Sequence, residues 1–414
     1  MRVIGIAGAG TVGSALLRLL ECSGAARAKA VLVRDVSRRR EGLPPGLRLT
    51  EDPEEILADP EIGLAVELMG GTDAAFSFAA RALGAGKHLV TANKNLIAER
   101  GPELFALARE RGVSIGFEAA VCAGMPVIRA FQESFRADRI LGVEGILNGT
   151  CNYILTRMDE AGLGLAQAVA EAQGLGLAEP DPSYDLSGRD SACKLSILAS
   201  LASGAWVDPA SLRVEGIEGI EPEDIRQARR LSFRIRLLGL LRLGPEGGLE
   251  EACVGPALVP EDHPLASVRF ENNALLADCA GLGPNFFSGR GAGPLPTATA
   301  LLSDILAAAE GRGLVPGAGH PFLAGRAAAP EGKAESRRLL RLSPPPGAEA
   351  SLPALLAAAG IGIESLARSA PRAGGQEKLE VATRPASARA FDGLARALEA
   401  AGWPRPLSLR MIEA

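Results

Sequence analysis

The stretch Val3-Ile4-Gly5-Ile6-Ala7-Gly8-Ala9-Gly10-Thr11-Val12-Gly13-Ser14-Ala15-Leu16-Leu17-Arg18-Leu19-Leu20 decides the fold of this 414-residue chain. A short apolar run, Val3–Ala7, meets a glycine turn and then a helical pattern, Val12–Leu20. In that setting Gly8 permits a tight turn, Gly10 lets backbone approach a pyrophosphate, and Gly13 allows close helix–strand packing. The helix start, with Thr11 and Val12, offers N–H groups and a positive dipole to phosphate. The alternative is a glycine turn without a ligand. Strand-like and helical runs go on alternating through Val113–Phe117, so residues 1–124 are expected to form an α/β Rossmann-type domain with a parallel sheet.

Beyond it the pattern changes. Helical stretches around 164–174 and 185–202, strand-like runs near 233–243, 250–259 and 268–280, and a helix over 296–311 predict an α+β domain over residues 125–325. An alanine-rich linker, residues 327–335, precedes a unit over 336–414. Its order of strand, helix, strand, strand, helix, strand is a βαββαβ, ferredoxin-like pattern.

Composition limits the function. Hydrophobic residues make up 47% and charged residues 22%, so a disordered scaffold is excluded. A net charge of −5 supplies no basic field for a nucleic acid, which leaves small molecules as the default partner. Six cysteines lack any C-x-x-C pair, arguing against disulfides and zinc and for a reducing cytoplasm. No apolar stretch is long enough to span a membrane, and the three histidines lack metal-ligand spacing.

Only six of the 44 basic residues are lysine, at 29, 87, 94, 194, 333 and 378. Lysine, unlike arginine, can lose its proton, and most of the six need no other explanation than surface variation. Lys94 closes Thr91-Ala92-Asn93-Lys94 at a strand end. Gly70 and Gly71 close another, so the three could converge on the nicotinamide end of a cofactor. Lys194 ends the richest segment, Gly176–Lys194, where Asp190 and Lys194 share a helix face four residues apart. That pair is either an ordinary ion pair or, with Glu179 and Asp185 of the same segment, a set suited to a substrate that carries an ammonium and must be protonated on reduction.

Three further readings stay open. Arg34-Asp35 and the run Arg38-Arg39-Arg40 follow the second strand; a carboxylate there would hold the ribose of NAD(H), an arginine the 2′-phosphate of NADP(H), and the reading leans to NADP(H) through Arg34 and Arg38. Asn148-Gly149-Thr150 precedes a helix beginning near Tyr153 and either meets a substrate carboxylate or caps that helix through Thr150 or Asn152. Gly291, in Gly289–Gly293, lies near a ligand or in a hinge.

Together these motifs resemble homoserine dehydrogenase over nearly the whole chain. The resemblance rests on Gly8–Gly13, Glu67–Gly71, Thr91–Lys94, Glu118–Ile128, Gly145–Tyr153, Ala178–Lys194 and Gly291–Ala298. It implies reversible, nicotinamide-dependent reduction of L-aspartate 4-semialdehyde to L-homoserine, in threonine and methionine biosynthesis. Lys194 would be the proton donor, Lys94 a second lysine beside the nicotinamide, Glu179 the ligand of the substrate ammonium, and Asp190 would hold substrate or Lys194. It further implies a monovalent cation at Glu118 and the carbonyls of Val121, Ala123 and Met125, a homodimer or higher homo-oligomer formed through the middle domain, and a C-terminal ACT-like domain with threonine as a possible effector. Leu177 stands where the family commonly has tyrosine and Cys122 where it commonly has glycine. The rival readings are a dehydrogenase of another amino acid and a sensor that binds a dinucleotide and an amino acid without turnover.

Overall fold

The computed structural model describes residues 2–413, apart from 39, 41, 42, 45, 331 and 370–377. It packs as two compact units, neither continuous in sequence: residues 1–141, 193–211 and 277–328 form one, and residues 142–192, 212–276 and 329–414 the other. Where three consecutive domains were expected, the chain passes repeatedly between two bodies.

The first unit holds a six-stranded sheet in the order Arg48–Thr50, Ala26–Leu32, Arg2–Ala7, Leu64–Glu67, His88–Thr91, Ile115–Gly116. Every pairing is parallel. The order reverses between Ala26–Leu32 and Leu64–Glu67, which flank the first strand, and ligands of open α/β sheets bind beyond the strand ends at such a point. Helices Thr11–Ser23, Asp73–Gly84 and Lys94–Arg111 connect the strands. Helix Pro294–Ala309 returns from far along the chain, and its Ala298, Leu301 and Ile305 share one buried cluster with Leu16, Leu17, Leu20 and Val66. Strand Gly283–Arg290 was not anticipated: every second residue is exposed, and its two glycines and one proline hide the alternation.

In the second unit, strand Phe233–Leu243 pairs antiparallel with Leu249–Pro260 and with the Gly142–Gly145 part of strand Ile140–Ile146. Helices Gly149–Ala161, Leu165–Gly174 and Pro222–Arg230 accompany them. The C-terminal segment contributes Arg338–Leu342, Leu352–Ala358, Ile363–Ser369, Lys378–Thr383, Ala388–Ala400 and Leu407–Met411, in the order strand, helix, strand, strand, helix, strand. Its core gathers Leu340, Leu356, Val381, Leu394, Leu398 and Trp403. It is not detached: Leu407–Met411 runs parallel to Leu249–Pro260, so one sheet continues through both. A strand with an unpaired edge is a liability, and this pairing covers one.

Candidate active site

The phosphate-facing turn separates the three glycine roles. Gly8 has φ +111°, and a Cβ there would lie 2.4 Å from the Leu68 carbonyl oxygen. A Cβ on Gly13 would lie 2.3 Å from the Gly8 oxygen, whereas one on Gly10 would meet nothing within 4 Å. Gly8 and Gly13 are therefore required by the fold itself, and Gly10 leaves open space at the start of helix Thr11–Ser23. No acidic side chain occupies that helix's first turn, so its dipole is uncompensated at the end where a pyrophosphate would sit. The residues present fit a dinucleotide.

At the neighbouring strand ends, the buried Glu67 accepts from the Thr91 hydroxyl at 2.7 Å and from the Met69 amide at 2.7 Å. Burial raises its pKa above the usual carboxylate range, and the Thr91 hydrogen bond works against that rise. Asn93 caps helix Lys94–Arg111 by accepting from the Leu96 amide, and its Nδ2 donates to the Gly71 carbonyl at 2.7 Å. Gly70 and Gly71 have φ +74° and +72°, which suits glycine. Lys94 is thus the first residue of a helix whose cap is tied to the Gly70-Gly71 turn.

The second strand ends at Leu32, two residues before Arg34, and the Val33 amide still donates across to the Thr50 carbonyl of the neighbouring strand. Arg34 and Arg38 are exposed beyond it, and Arg39 lies outside the described residues. Asp35 accepts from the Ser37 hydroxyl and amide at 2.6 and 2.8 Å, which lowers its pKa, so its Oδ1 is spent on a local turn.

In the second unit Asn148 organises the polar centre. Its Nδ2 donates to Asp185 Oδ1 and to Asp190 Oδ2, both at 2.8 Å. Its Oδ1 accepts from the Cys151 amide at 2.7 Å, capping helix Gly149–Ala161, which starts four residues before Tyr153. The cap is therefore Asn148, and neither Thr150 nor Asn152 supplies it. Thr150 donates to the Leu177 carbonyl at 2.9 Å, fastening the acid-rich segment to the same helix start. Glu179 is exposed, and its backbone carbonyl accepts from Gln173 Nε2 at 3.0 Å. The expected helix over 185–202 is broken at Gly188, φ +82°, into Ser183–Leu186 and Arg189–Ser203. Asp190 and Lys194, both buried, lie in the first two turns of the longer piece.

Glu118, in the first unit, is buried and accepts from the amides of Ile128 and Arg129, each at 2.9 Å. Its own amide donates to Asp304 at 2.9 Å, and Arg129 donates to the other Asp304 oxygen at 3.0 Å. Burial, with the Asp304 charge beside it, pushes the Glu118 carboxyl up to about 7. The loop 121–125 is pinned to the glycine-rich segment, Ala123 and Gly124 donating to the carbonyls of Gly291 and Arg290 at 3.1 and 3.0 Å. Gly291 is buried in that contact. Cys122 has φ +48°, the left-handed region that a cysteine occupies at a cost. Oxygen donors of this kind suit a hard monovalent cation, although the Glu118 oxygens already take two amides. Among the described residues no group of three or more His, Cys, Asp or Glu side chains could hold a metal ion.

The homoserine dehydrogenase family profile matches residues 126–306, and that of the homoserine dehydrogenase NAD-binding domain matches residues 8–118. The homoserine dehydrogenase of Synechocystis sp. is 43% identical over 313 residues, 73% of this chain and 72% of that one. The chain belongs to the homoserine dehydrogenase family. The Pseudomonas aeruginosa homoserine dehydrogenase is 38% identical over 382 residues, 88% of this chain and 87% of its own. The solved homoserine dehydrogenase of Thiobacillus denitrificans superposes with a TM-score of 0.88 at 33% identity, covering 100% of this chain and 98% of that one. A hyperthermophilic archaeal homoserine dehydrogenase in complex with NADPH aligns with a TM-score of 0.64 at 27% identity, covering 75% of this chain and 98% of its own.

As a homoserine dehydrogenase the chain is an NAD(P)-dependent oxidoreductase. Asp304 was not singled out from sequence, and Glu67 was read only as the start of a strand-end motif, without a role. Asp304 is the one charged residue in helix Pro294–Ala309, a signal that was there to use. Glu67 ends an otherwise apolar buried strand, and its role in joining two strand ends needed the sheet order.

Proposed function

We propose that this homoserine dehydrogenase works mainly with NADP(H), with Lys194 as the proton-transferring group and the Asn148–Asp185–Asp190 set as the frame that orders its substrate segment. The observation that carries the reading is the buried Asn148–Asp190 hydrogen bond at the start of the helix that bears Lys194. When bound, the nicotinamide supplies or accepts the hydride. Lys194 Nζ gives its proton to the substrate oxygen on reduction and takes it back on oxidation. Lys94, placed by the Asn93 cap, adds a second cation beside that exchange, and Glu179 receives the substrate ammonium. Gly10, Thr11, Val12, Gly70 and Gly71 hold the cofactor, and Arg34 and Arg38 meet the 2′-phosphate. The NADPH complex of the archaeal relative supports that choice.

A monovalent cation at Glu118 and the carbonyls of Val121, Ala123 and Met125 would tie together the loop that Arg290 and Gly291 already hold. The C-terminal segment acts as an ACT-like regulatory domain responding to threonine. An archaeal relative covered almost entirely by three quarters of this chain supports a role for the remainder outside the chemistry. Assembly as a homodimer and a place in cytoplasmic threonine and methionine biosynthesis complete the reading. No helix among the described residues is long and apolar enough to cross a membrane.

The test is initial-rate oxidation of L-homoserine with NADP and with NAD, with and without L-threonine, for the wild type and Lys194→Arg. The expected result is faster turnover with NADP, inhibition by threonine, and a loss of roughly a hundredfold or more in Lys194→Arg with substrate binding kept. Normal turnover in Lys194→Arg would sink the assignment of the proton donor.

A further inference from the structure

Near the far end of helix Gly149–Ala161 from Asn148, about 17 Å along its axis at 1.5 Å per residue, the second unit holds a cavity of about 260 Å³. Arg229, Arg234, Arg236 and Arg269 line it, against Asp159 and Glu160. Four elements bring them together: the last turn of that helix, helix Pro222–Arg230, strand Phe233–Leu243, and the turn before strand Asn272–Cys279. Arg234 and Arg236 are two apart on a strand and so face the same side.

The carboxylates are already committed. Asp159 pairs with Arg229 and lies 3.6 Å from Arg234, Glu160 pairs with Arg269 at 3.1 Å, and Glu261, outside the lining, takes Arg234 at 3.0 Å. Arg236 is left over. It is 2% exposed, it has no carboxylate within ion-pair distance among the described residues, and its two terminal nitrogens donate only to the carbonyls of Ile235 at 3.0 Å and Ala266 at 2.8 Å. Its Nε is buried with no partner, and so is Nη1 of Arg234. Burial pushes the Arg236 pKa down only to about 10, so the guanidinium is charged at neutral pH. A buried guanidinium with unmet donors is costly unless an anion completes it. The space far exceeds the roughly 15 Å³ that one water needs.

We propose that this cavity binds a small oxyanion of the phosphate class, free or carried as a phosphate monoester, at a site distinct from the one that binds homoserine. The anion sits among the guanidiniums that line the cavity, where it balances the charge of Arg236 and competes with the carboxylates for Arg229, Arg234 and Arg269.

The experiment titrates the full-length enzyme calorimetrically with inorganic phosphate and with glycerol phosphate, against sodium chloride at matched ionic strength, and follows the melting temperature in parallel. The expected result is saturable binding and a rise in melting temperature with one or both phosphates and not with chloride. Tighter binding of inorganic phosphate identifies the free ion, and tighter binding of the ester identifies a phosphorylated metabolite. Arg236→Met should abolish binding and Arg269→Gln should weaken it severalfold. Should Arg236→Met fail to fold, Arg234→Gln removes the second orphaned donor and is expected to weaken binding at least tenfold. No saturable binding of either phosphate, or binding unchanged in these variants, would overturn the proposal.

Discussion

Asn148 Nδ2 lies 2.8 Å from Asp190 Oδ2, and that contact joins the cap of one helix to the first turn of the next. The same amide nitrogen reaches Asp185 Oδ1 at 2.8 Å, so one side chain supplies a donor to two carboxylates of the substrate segment while its oxygen caps helix Gly149–Ala161. Asn148 thus ties both acids of the substrate segment to the start of helix Gly149–Ala161.

Replacing Asn148 separates its two duties. Asn148→Ser retains an oxygen that can cap the helix but loses the reach to Asp185 and Asp190. Asn148→Ala loses both, adding about 1 kcal/mol for the cap. Each carboxylate left without its donor adds roughly 1–3 kcal/mol. Both variants should lose homoserine turnover at least tenfold, while Asn148→Ser melts at a higher temperature than Asn148→Ala. Equal turnover in Asn148→Ser and wild type would show that the tether does not matter to catalysis.

The glycine turn makes a second dissociation. Gly10 has φ −79° and open space around its missing Cβ, so Gly10→Ala should fold within about 0.5 kcal/mol of wild type. Its methyl group stands where the pyrophosphate comes closest, and the KM for the nicotinamide cofactor should rise at least tenfold. Gly13→Ala instead drives a carbon to 2.3 Å from the Gly8 oxygen and should lower both melting temperature and cofactor affinity. Denaturation and cofactor titration on the two variants distinguish a ligand-approach glycine from a packing glycine.

How much of this was legible beforehand follows from where each constraint resides. The Val3–Gly13 strand and turn is a local signal, because the glycines act on backbone within a few residues of themselves. Lys94 and Lys194 stood out because the chain otherwise uses arginine. Asn148 was visible only as part of a motif, and its bonds to residues 37 and 42 positions away have no local trace. Asp304 reaches Glu118 across 186 positions, and Leu407–Met411 meets Leu249–Pro260 across a similar span. Period and composition are blind to such pairings. Cys122 is the instructive intermediate case: its departure from the glycine that the resemblance implies was readable, and φ +48° lies in the region that favours glycine.

Acid should weaken the first unit through His320. The ring stacks on Phe105, centroids 4.3 Å apart, and its Nδ1 is buried without a partner. Burial lowers its pKa from 6.5 to about 4. Below 6.5 the unfolded chain takes a proton that the folded ring refuses, so the contribution is intact above that value and is lost as pH falls toward 4. At pH 5 the loss is about 1–2 kcal/mol. His320→Phe, which keeps the aromatic stack and cannot be protonated, should show a smaller drop in melting temperature between pH 7.5 and pH 5 than the wild type. An identical drop would mean that His320 is charged in the folded protein.

Arg410 and Glu251 provide the strictest test of how the C-terminal segment is joined. They form an ion pair between parallel strands Leu407–Met411 and Leu249–Pro260, each side chain less than a tenth exposed. Taking two charges out of water cancels much of what they gain from each other, but removing one strands the other. Arg410→Met should therefore cost about 3–5 kcal/mol. The double variant Arg410→Met/Glu251→Leu should recover most of that loss, since the pair can be exchanged for packed apolar groups of similar size. Chemical denaturation of the two single variants and the double variant gives the coupling directly. If the segment were only loosely attached, Arg410→Met would melt the C-terminal strands alone and leave homoserine oxidation untouched. Continuity of the sheet instead predicts that the loss appears in the unfolding of the whole second unit, with turnover falling alongside it because Asn148, Asp185 and Asp190 belong to that unit.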